Sequence, residues 1–192
     1  MDYIQRAQSY MAGVLDGSIP ACKWTKLAVE RQKRDLARAQ TPEFPYRFDE
    51  ARAAHICQFI ELMPHIKGDW AKPVMVNGRL TYPKIVLEPW QCFILTCVFG
   101  WVHEVSGLRR FTRVYEEVAR KNAKSTKMSG IALYMMAVDG EPGAECYSLA
   151  TTGDQARIVF NDARAMALRE PRFCERYGVG VNKHDLEVES NA

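Results

Sequence analysis

The first eighty residues read as helices separated by breaks, and the pattern then shifts to alternating strands and helices. Tyr3 to Leu15 predicts a helix that stops at Asp16-Gly17-Ser18. A second opens with Pro20 in its first turn, where a missing N–H costs nothing, and runs to about Gln40 before Thr41-Pro42. A third takes Asp49 as its N-cap and carries Ala53, Ile56, Cys57, Ile60 and Leu62 at helical spacing until Pro64. Three short helices of this kind predict a cap, not a catalytic core.

Asn77-Gly78 is a turn signal, and Pro83, Pro89 and the strand-like Ile85-Val86-Leu87 mark a boundary. Beyond it, Pro89 to Trp101 predicts a buried helix and Phe111 to Val118 a strand. Ser125 to Val138 predicts an apolar helix, Glu145 to Ala150 a strand, and Gln155 to Arg169 an amphipathic helix. Strand and helix in alternation imply parallel pairing, so the expected fold class is α/β: a helical cap over residues 1–84 and a parallel sheet core over 85–192.

Composition agrees with a globular chain: 192 residues, 47% hydrophobic, long enough for one domain with a sizeable core. A formal charge of +3 is too small to indicate nucleic-acid binding, so only the local placement of charge matters. The longest apolar stretch, Cys92 to Val102, is shorter than the ~20 residues a bilayer crossing needs, and no secretion signal precedes it. The chain therefore reads as neither membrane-spanning nor secreted. The six cysteines form no C-x-x-C pair and the histidines fall at no metal-ligand spacing, which predicts reduced, buried thiols in a cytosolic protein.

Chemistry concentrates in Val118-Ala-Arg-Lys-Asn-Ala-Lys-Ser-Thr126. Against the phosphate loop G-x-x-x-x-G-K-[ST], Lys124-Ser125 fits the last two positions while Val118 and Ala123 replace the glycines. A phosphate loop needs a strand that delivers the chain to a turn, then a helix whose N–H groups and dipole face the anion. The pattern predicts both. Lys124 would reach the terminal phosphates, Ser125 would hold Mg²⁺, and the backbone of Lys121, Asn122 and Ala123, continuing to Thr126, would wrap the phosphate oxygens. Alanine at 123 is compatible with this loop if its φ stays negative.

The loop Ala119-Arg120-Lys121-Asn122-Ala123-Lys124-Ser125 resembles the [AS]-R-x-x-[GA]-K-[ST] form found in the large terminase subunit of tailed double-stranded DNA bacteriophages. Two further segments resemble the same family: Leu87-Glu-Pro-Trp-Gln91, similar to its adenine-contacting segment, and Tyr147-Ser-Leu-Ala-Thr-Thr-Gly-Asp-Gln-Ala156, similar to its A-x-T-x-x-Q-A block. The resemblance covers most of residues 1 to 190. It implies a RecA-like P-loop NTPase that binds ATP and Mg²⁺, with Gln91 on the adenine and Arg120 and Lys124 on the phosphates. It also implies a motor in the host cytoplasm that moves double-stranded DNA into a procapsid, with the portal protein and the small terminase subunit as partners and possible assembly of copies on the portal. The family's pattern continues with a strand ending in Asp-Glu and a nuclease domain, neither visible here; Asp185, Glu187 and Glu189 read as a solvated strand face. The sequence is thus expected to be an N-terminal portion with an incomplete sheet, from a truncated gene or an expressed fragment, and with little hydrolysis of its own. The alternatives are an inactive prophage remnant that binds DNA or a partner, and a helicase-like or kinase-like P-loop protein.

Other candidates remain open. Trp90 and Phe93 belong to the core or stack on a base. Arg120 touches the γ-phosphate in cis, serves a neighbouring subunit's nucleotide, or pairs with Glu116 or Glu117. Lys23, Lys26, Arg31, Lys33, Arg34 and Arg38 against Glu30 and Asp35 form a solvated helix face or a DNA-phosphate contact. Arg109, Arg110 and Arg113 are surface charges or lie at a subunit interface. Cys97 and Cys146 fall in segments expected to be buried, with no group placed to activate them.

Overall fold

Seven α-helices, one short 3-10 helix (Asp69–Ala71) and three two-stranded antiparallel ladders make up the regular structure of residues 2–188, the residues that the computed structural model describes. They form two compact units that interleave along the chain: Met1–Gln58 with Leu87–Glu116, and Phe59–Val86 with Glu117–Ala192.

In the first unit, α1 (Tyr3–Asp16) ends on Gly17 at φ 84°. The chain then folds back, so that the Ile19 N–H donates to the Gly13 carbonyl at 2.8 Å. A Cβ on Gly13 would meet the Ile19 side chain at 2.7 Å, so any larger residue there would have to displace Ile19. This reversal holds the next residues extended, and α2 is Lys23–Arg38 instead of starting at Pro20. Helix α3 (Glu50–Leu62) begins as its sequence indicates: Asp49 Oδ1 accepts from the Arg52 N–H at 3.0 Å. That bond first, and the Arg47 guanidinium after it, hold the Asp49 carboxyl below its usual range against the opposing effect of burial. The apolar α4 (Pro89–Gly100) packs along α1, with Tyr10 and Phe93 5.6 Å apart. Phe93 is therefore a core residue.

Strands β1 (Tyr46–Phe48) and β4 (Trp101–His103) pair antiparallel, with Phe48 opposite Trp101. Trp101 is fully buried, edge-on to Phe44 and Phe48 at 5.8 and 5.2 Å, and its Nε1–H donates to Gln32 Oε1 at 2.7 Å. Asp35 on α2 also faces inward, 1% exposed, with Arg110 at 2.8 Å, Arg34 at 3.4 Å and Arg38 at 3.7 Å. The Arg110 guanidinium lies 4.9 to 5.5 Å from the ring centres of Phe44, Tyr46, Trp101 and Phe111. It is thus drawn into the packing of its own unit by a carboxylate and four rings.

In the second unit, β2 (Val74–Val76) and β3 (Arg79–Thr81) form a hairpin, with Asn77 and Gly78 both at positive φ in the turn. Helices α5 (Lys124–Ala137), α6 (Gly153–Arg169) and α7 (Pro171–Tyr177) precede a last antiparallel pair, β5 (Val179–Val181) and β6 (Leu186–Val188). Helix α5 packs on α6, and the buried Ser129 hydroxyl lies 2.8 Å from the carbonyls of both Ser125 and Val159, one on each helix. The segment before the hairpin is tied to α6 by Lys67 on Asp162 at 2.6 Å and by an Arg169 guanidinium on the His65 carbonyl at 2.7 Å. Lys84 pairs with Glu170 after it.

The expected parallel sheet differs from what is found. Residues 85–87, 111–118 and 145–150 are irregular, and every ladder among the described residues is antiparallel. A strand is a strand only by virtue of a neighbour that takes up its N–H and C=O groups, and alternation in a sequence does not supply one. Tyr115 and Leu149, on two of these segments, are 87% and 91% exposed. Between Pro83 and Pro89, Ile85 instead donates its N–H to the Met63 carbonyl. The thiols also divide: Cys57, Cys92 and Cys97 are buried, whereas Cys22 and Cys146 are exposed, because the segment that carries Cys146 joins no sheet. Burial pushes the Cys97 thiol up to about 12. Glu189 lies outside the described residues.

Candidate site at the N-terminus of helix α5

The chain reaches α5 through an extended stretch, a turn at Arg120-Lys121 and a bend at Asn122-Ala123, and becomes helical at Lys124. Arg120 to Thr126 are thus brought together at one helix end, with Arg120, Lys121, Asn122, Ala123 and Lys124 exposed and Ser125 and Thr126 half-buried in the first turn. Two local bonds hold the loop. The Asn122 amide donates to the Ala119 carbonyl at 3.1 Å, and the Lys124 ammonium reaches back over the loop to the Val118 carbonyl at 3.1 Å. Ala123 offers no side-chain acceptor to the α5 terminus, whereas Thr152 accepts from Gln155 at that of α6. The first N–H groups of α5 have no intrahelical acceptors and point along the helix axis with its positive end.

Two residues in the loop adopt left-handed backbone, Lys121 at φ 70° and Ala123 at φ 52°. The condition of negative φ at Ala123 is therefore not met: a tight entry from extended chain into α5 needs the left-handed conformation at the N-cap, and alanine takes it at a cost of roughly 1–2 kcal/mol. Ala123→Gly should relieve that cost. Glycine gives back about 0.4–1 kcal/mol through the unfolded chain, so the variant is expected to be between neutral and ~1.6 kcal/mol more stable. Ala123→Val should lose more than ~1 kcal/mol, and urea unfolding of the two variants checks the contrast. Equal stabilities would show that the loop adjusts without strain.

Gln91 belongs to the first unit, in the first turn of α4. It is buried, and its side-chain oxygen accepts from the Glu88 N–H at 2.9 Å while the Glu88 side chain accepts from the Gln91 N–H, a reciprocal capping box. Its amide oxygen is thereby engaged in the cap. The block from Ala150 to Ala156 serves a comparable local purpose: Thr152 caps α6, and the Thr151 hydroxyl bonds the Gln155 side chain at 2.8 Å.

Residues 89–190, more than half of the chain, match the model of the terminase large subunit, ATPase domain. The chain belongs to that family. No curated protein and no solved structure matches it. Membership of the terminase ATPase family implies a P-loop fold and the use of nucleotide, and the matched span contains α4 with Gln91, the whole Arg120 to Thr126 loop, and α6 with its cap. No helix among the described residues is long and apolar enough to cross a membrane.

Sequence reasoning did not find Ser129, whose hydroxyl can donate to the carbonyl of either Ser125 or Val159, both 2.8 Å away, and so sits where the helix that follows the loop packs on α6. A serine at i+4 from the loop serine was the available signal. It also missed the Asp35–Arg110 pair, because 75 positions separate the partners and nothing local connects them.

Proposed function

We propose that this chain is the ATPase portion of a packaging motor that couples ATP hydrolysis to movement of double-stranded DNA into a procapsid. The supporting observation is the Arg120 to Thr126 loop entering the N-terminus of α5 without a side-chain cap, inside the span matched by the terminase family. The donor set fits a nucleotide triphosphate: a lysine ammonium, backbone N–H groups at a helix terminus, and two hydroxyls. Lys124 would leave the Val118 carbonyl for the terminal phosphates, Arg120 would add a second positive charge there, and the backbone of Lys121 to Thr126 would wrap the oxygens. Ser125 would hold Mg²⁺, which neutralises charge on the phosphates.

In this reading residues 1–84 act as a cap or lid and 85–192 as part of a RecA-like core whose sheet is parallel in the working motor. Portal protein, small terminase subunit and further copies of this chain are its partners in the host cytoplasm. Water attack on the γ-phosphate needs a placed carboxylate. Asp185 and Glu187 both accept from the Asn182 amide, at 2.7 and 3.0 Å, beside the β5–β6 turn, and neither is offered to the loop in that arrangement. Hydrolysis by residues 1–192 is therefore expected near background.

Calorimetric titration with ATP tests the site. Binding should be stronger with Mg²⁺ than without it, and Ser125→Ala should remove most of that difference while leaving the Mg²⁺-free affinity in place. Absence of binding, or a magnesium effect untouched in Ser125→Ala, overturns the assignment.

A further inference from the structure

Helix α2 carries more positive charge than its own unit uses. Its two acids part company in the fold: Glu30 stays exposed, whereas Asp35 is buried beneath the helix. Lys23, Lys26, Arg31, Lys33, Arg34 and Arg38 are all exposed. The outward face therefore sets six cations against one carboxylate. Asp35 does not redress the balance, since its single charge already faces three guanidiniums, of which Arg110 is the closest at 2.8 Å.

Several of these cations are also held in place. Arg31 lies over the Phe111 ring at 5.0 Å and Arg38 over Phe44 at 4.4 Å, so part of the side-chain entropy that a contact would cost is already lost. Lys26 and Lys33 form no ion pair among the described residues. They stand two turns apart on one face, about 10 Å along the axis, which matches about three steps of the 3.4 Å phosphate repeat of a DNA strand. Trp24, 74% exposed, is the single aromatic residue of the helix. One ring is no stacking platform for unpaired bases, so the face suits the backbone of a duplex more than a single strand.

We infer that the exposed face of α2 is a sequence-independent docking surface for the phosphate backbone of double-stranded DNA, engaged through Lys26, Lys33 and the arginines beside them. The inference deepens the packaging reading by naming a surface for its DNA, and it rests on that reading for the identity of the polyanion.

The test is fluorescence anisotropy of the full chain with a random-sequence 30-base-pair duplex over a salt series, for the unmodified protein, for Lys26→Gln/Lys33→Gln, and for Lys72→Gln/Lys183→Gln. The last pair removes the same charge from the other unit. Loss of two phosphate contacts should lower the slope of log affinity against log salt by about 1.8 and weaken binding roughly tenfold per contact near 0.1 M salt. The control pair should keep most of the slope. Circular dichroism and ATP titration of the α2 variant should match the unmodified chain, which separates this surface from the nucleotide site. An unchanged slope in the α2 variant, equal losses in both variants, no duplex binding at 50 mM salt, or competition by polyglutamate that equals duplex charge for charge would each overturn the inference. None of these results bears on ATP binding, so the nucleotide reading stands or falls by its own titration.

Discussion

Lys124→Ala is expected to reduce ATP affinity by a hundredfold or more. The ammonium is the charge at the start of α5 that can follow the terminal phosphates, and a charge-assisted hydrogen bond contributes about 1.5–3 kcal/mol. Two such contacts, to neighbouring phosphate oxygens, give ~3–6 kcal/mol, and each 1.4 kcal/mol is tenfold in affinity. In the structure the same group donates to the Val118 carbonyl at an exposed position, where water replaces it readily. Thermal stability should therefore hardly move, which distinguishes a lost phosphate contact from a collapsed loop. Lys124→Arg should recover part of the affinity through charge, with geometry limiting the rest. Calorimetric titration of the three proteins checks this; undiminished ATP binding in Lys124→Ala would remove the loop from the nucleotide site.

The second large effect concerns stability. Trp101→Ala should cost about 3–5 kcal/mol, the range for removing a buried tryptophan, against a total of ~5–15 kcal/mol for a typical domain. The ring fills the space between Phe44 and Phe48 and is fully buried, so little relaxation is open to its neighbours. Its loss also leaves Gln32 Oε1 buried without its donor, a further ~1–3 kcal/mol. Trp101→Phe keeps most of the volume and loses only the donor, so it should fall well short of the alanine variant. Urea unfolding followed by circular dichroism measures both. Equal midpoints for the two variants would show that the orphaned amide, not the cavity, sets the cost.

How far the sequence could be read depended on the range of the interaction concerned. Helices α1, α3, α4, α5 and α6 were legible because spacing, proline and glycine stops and caps such as Asp49 all act within a few residues. The loop before α5 was legible for the same reason. The parallel sheet was not: Phe111 to Val118 alternates, but pairing is decided by another segment, and here none takes it up. The start of α2 was missed because a contact between Ile19 and Gly13 outweighs the preference of Pro20 for a first turn. Ala123 shows the reverse case, in which the residue argues for negative φ and the path of the chain imposes the positive one. For Arg110 the sequence left a surface charge and a subunit interface open, because the carboxylate it pairs with lies 75 positions away.

The two compact units are each assembled from two stretches of sequence, and the chain passes between them near residues 58, 86 and 116. No single cut leaves both units whole. Dividing the chain between residues 84 and 85 takes segments from each, and ending it after residue 116 completes the first unit but strands 59–86 without the helices that follow. The first passage lies inside α3, which runs unbroken from Glu50 to Leu62. A helix breaker near Gln58 would consequently be felt in both units, and a protease nick near residue 86 would divide both units between the two fragments, whereas one near 58 or 116 would divide only one of them.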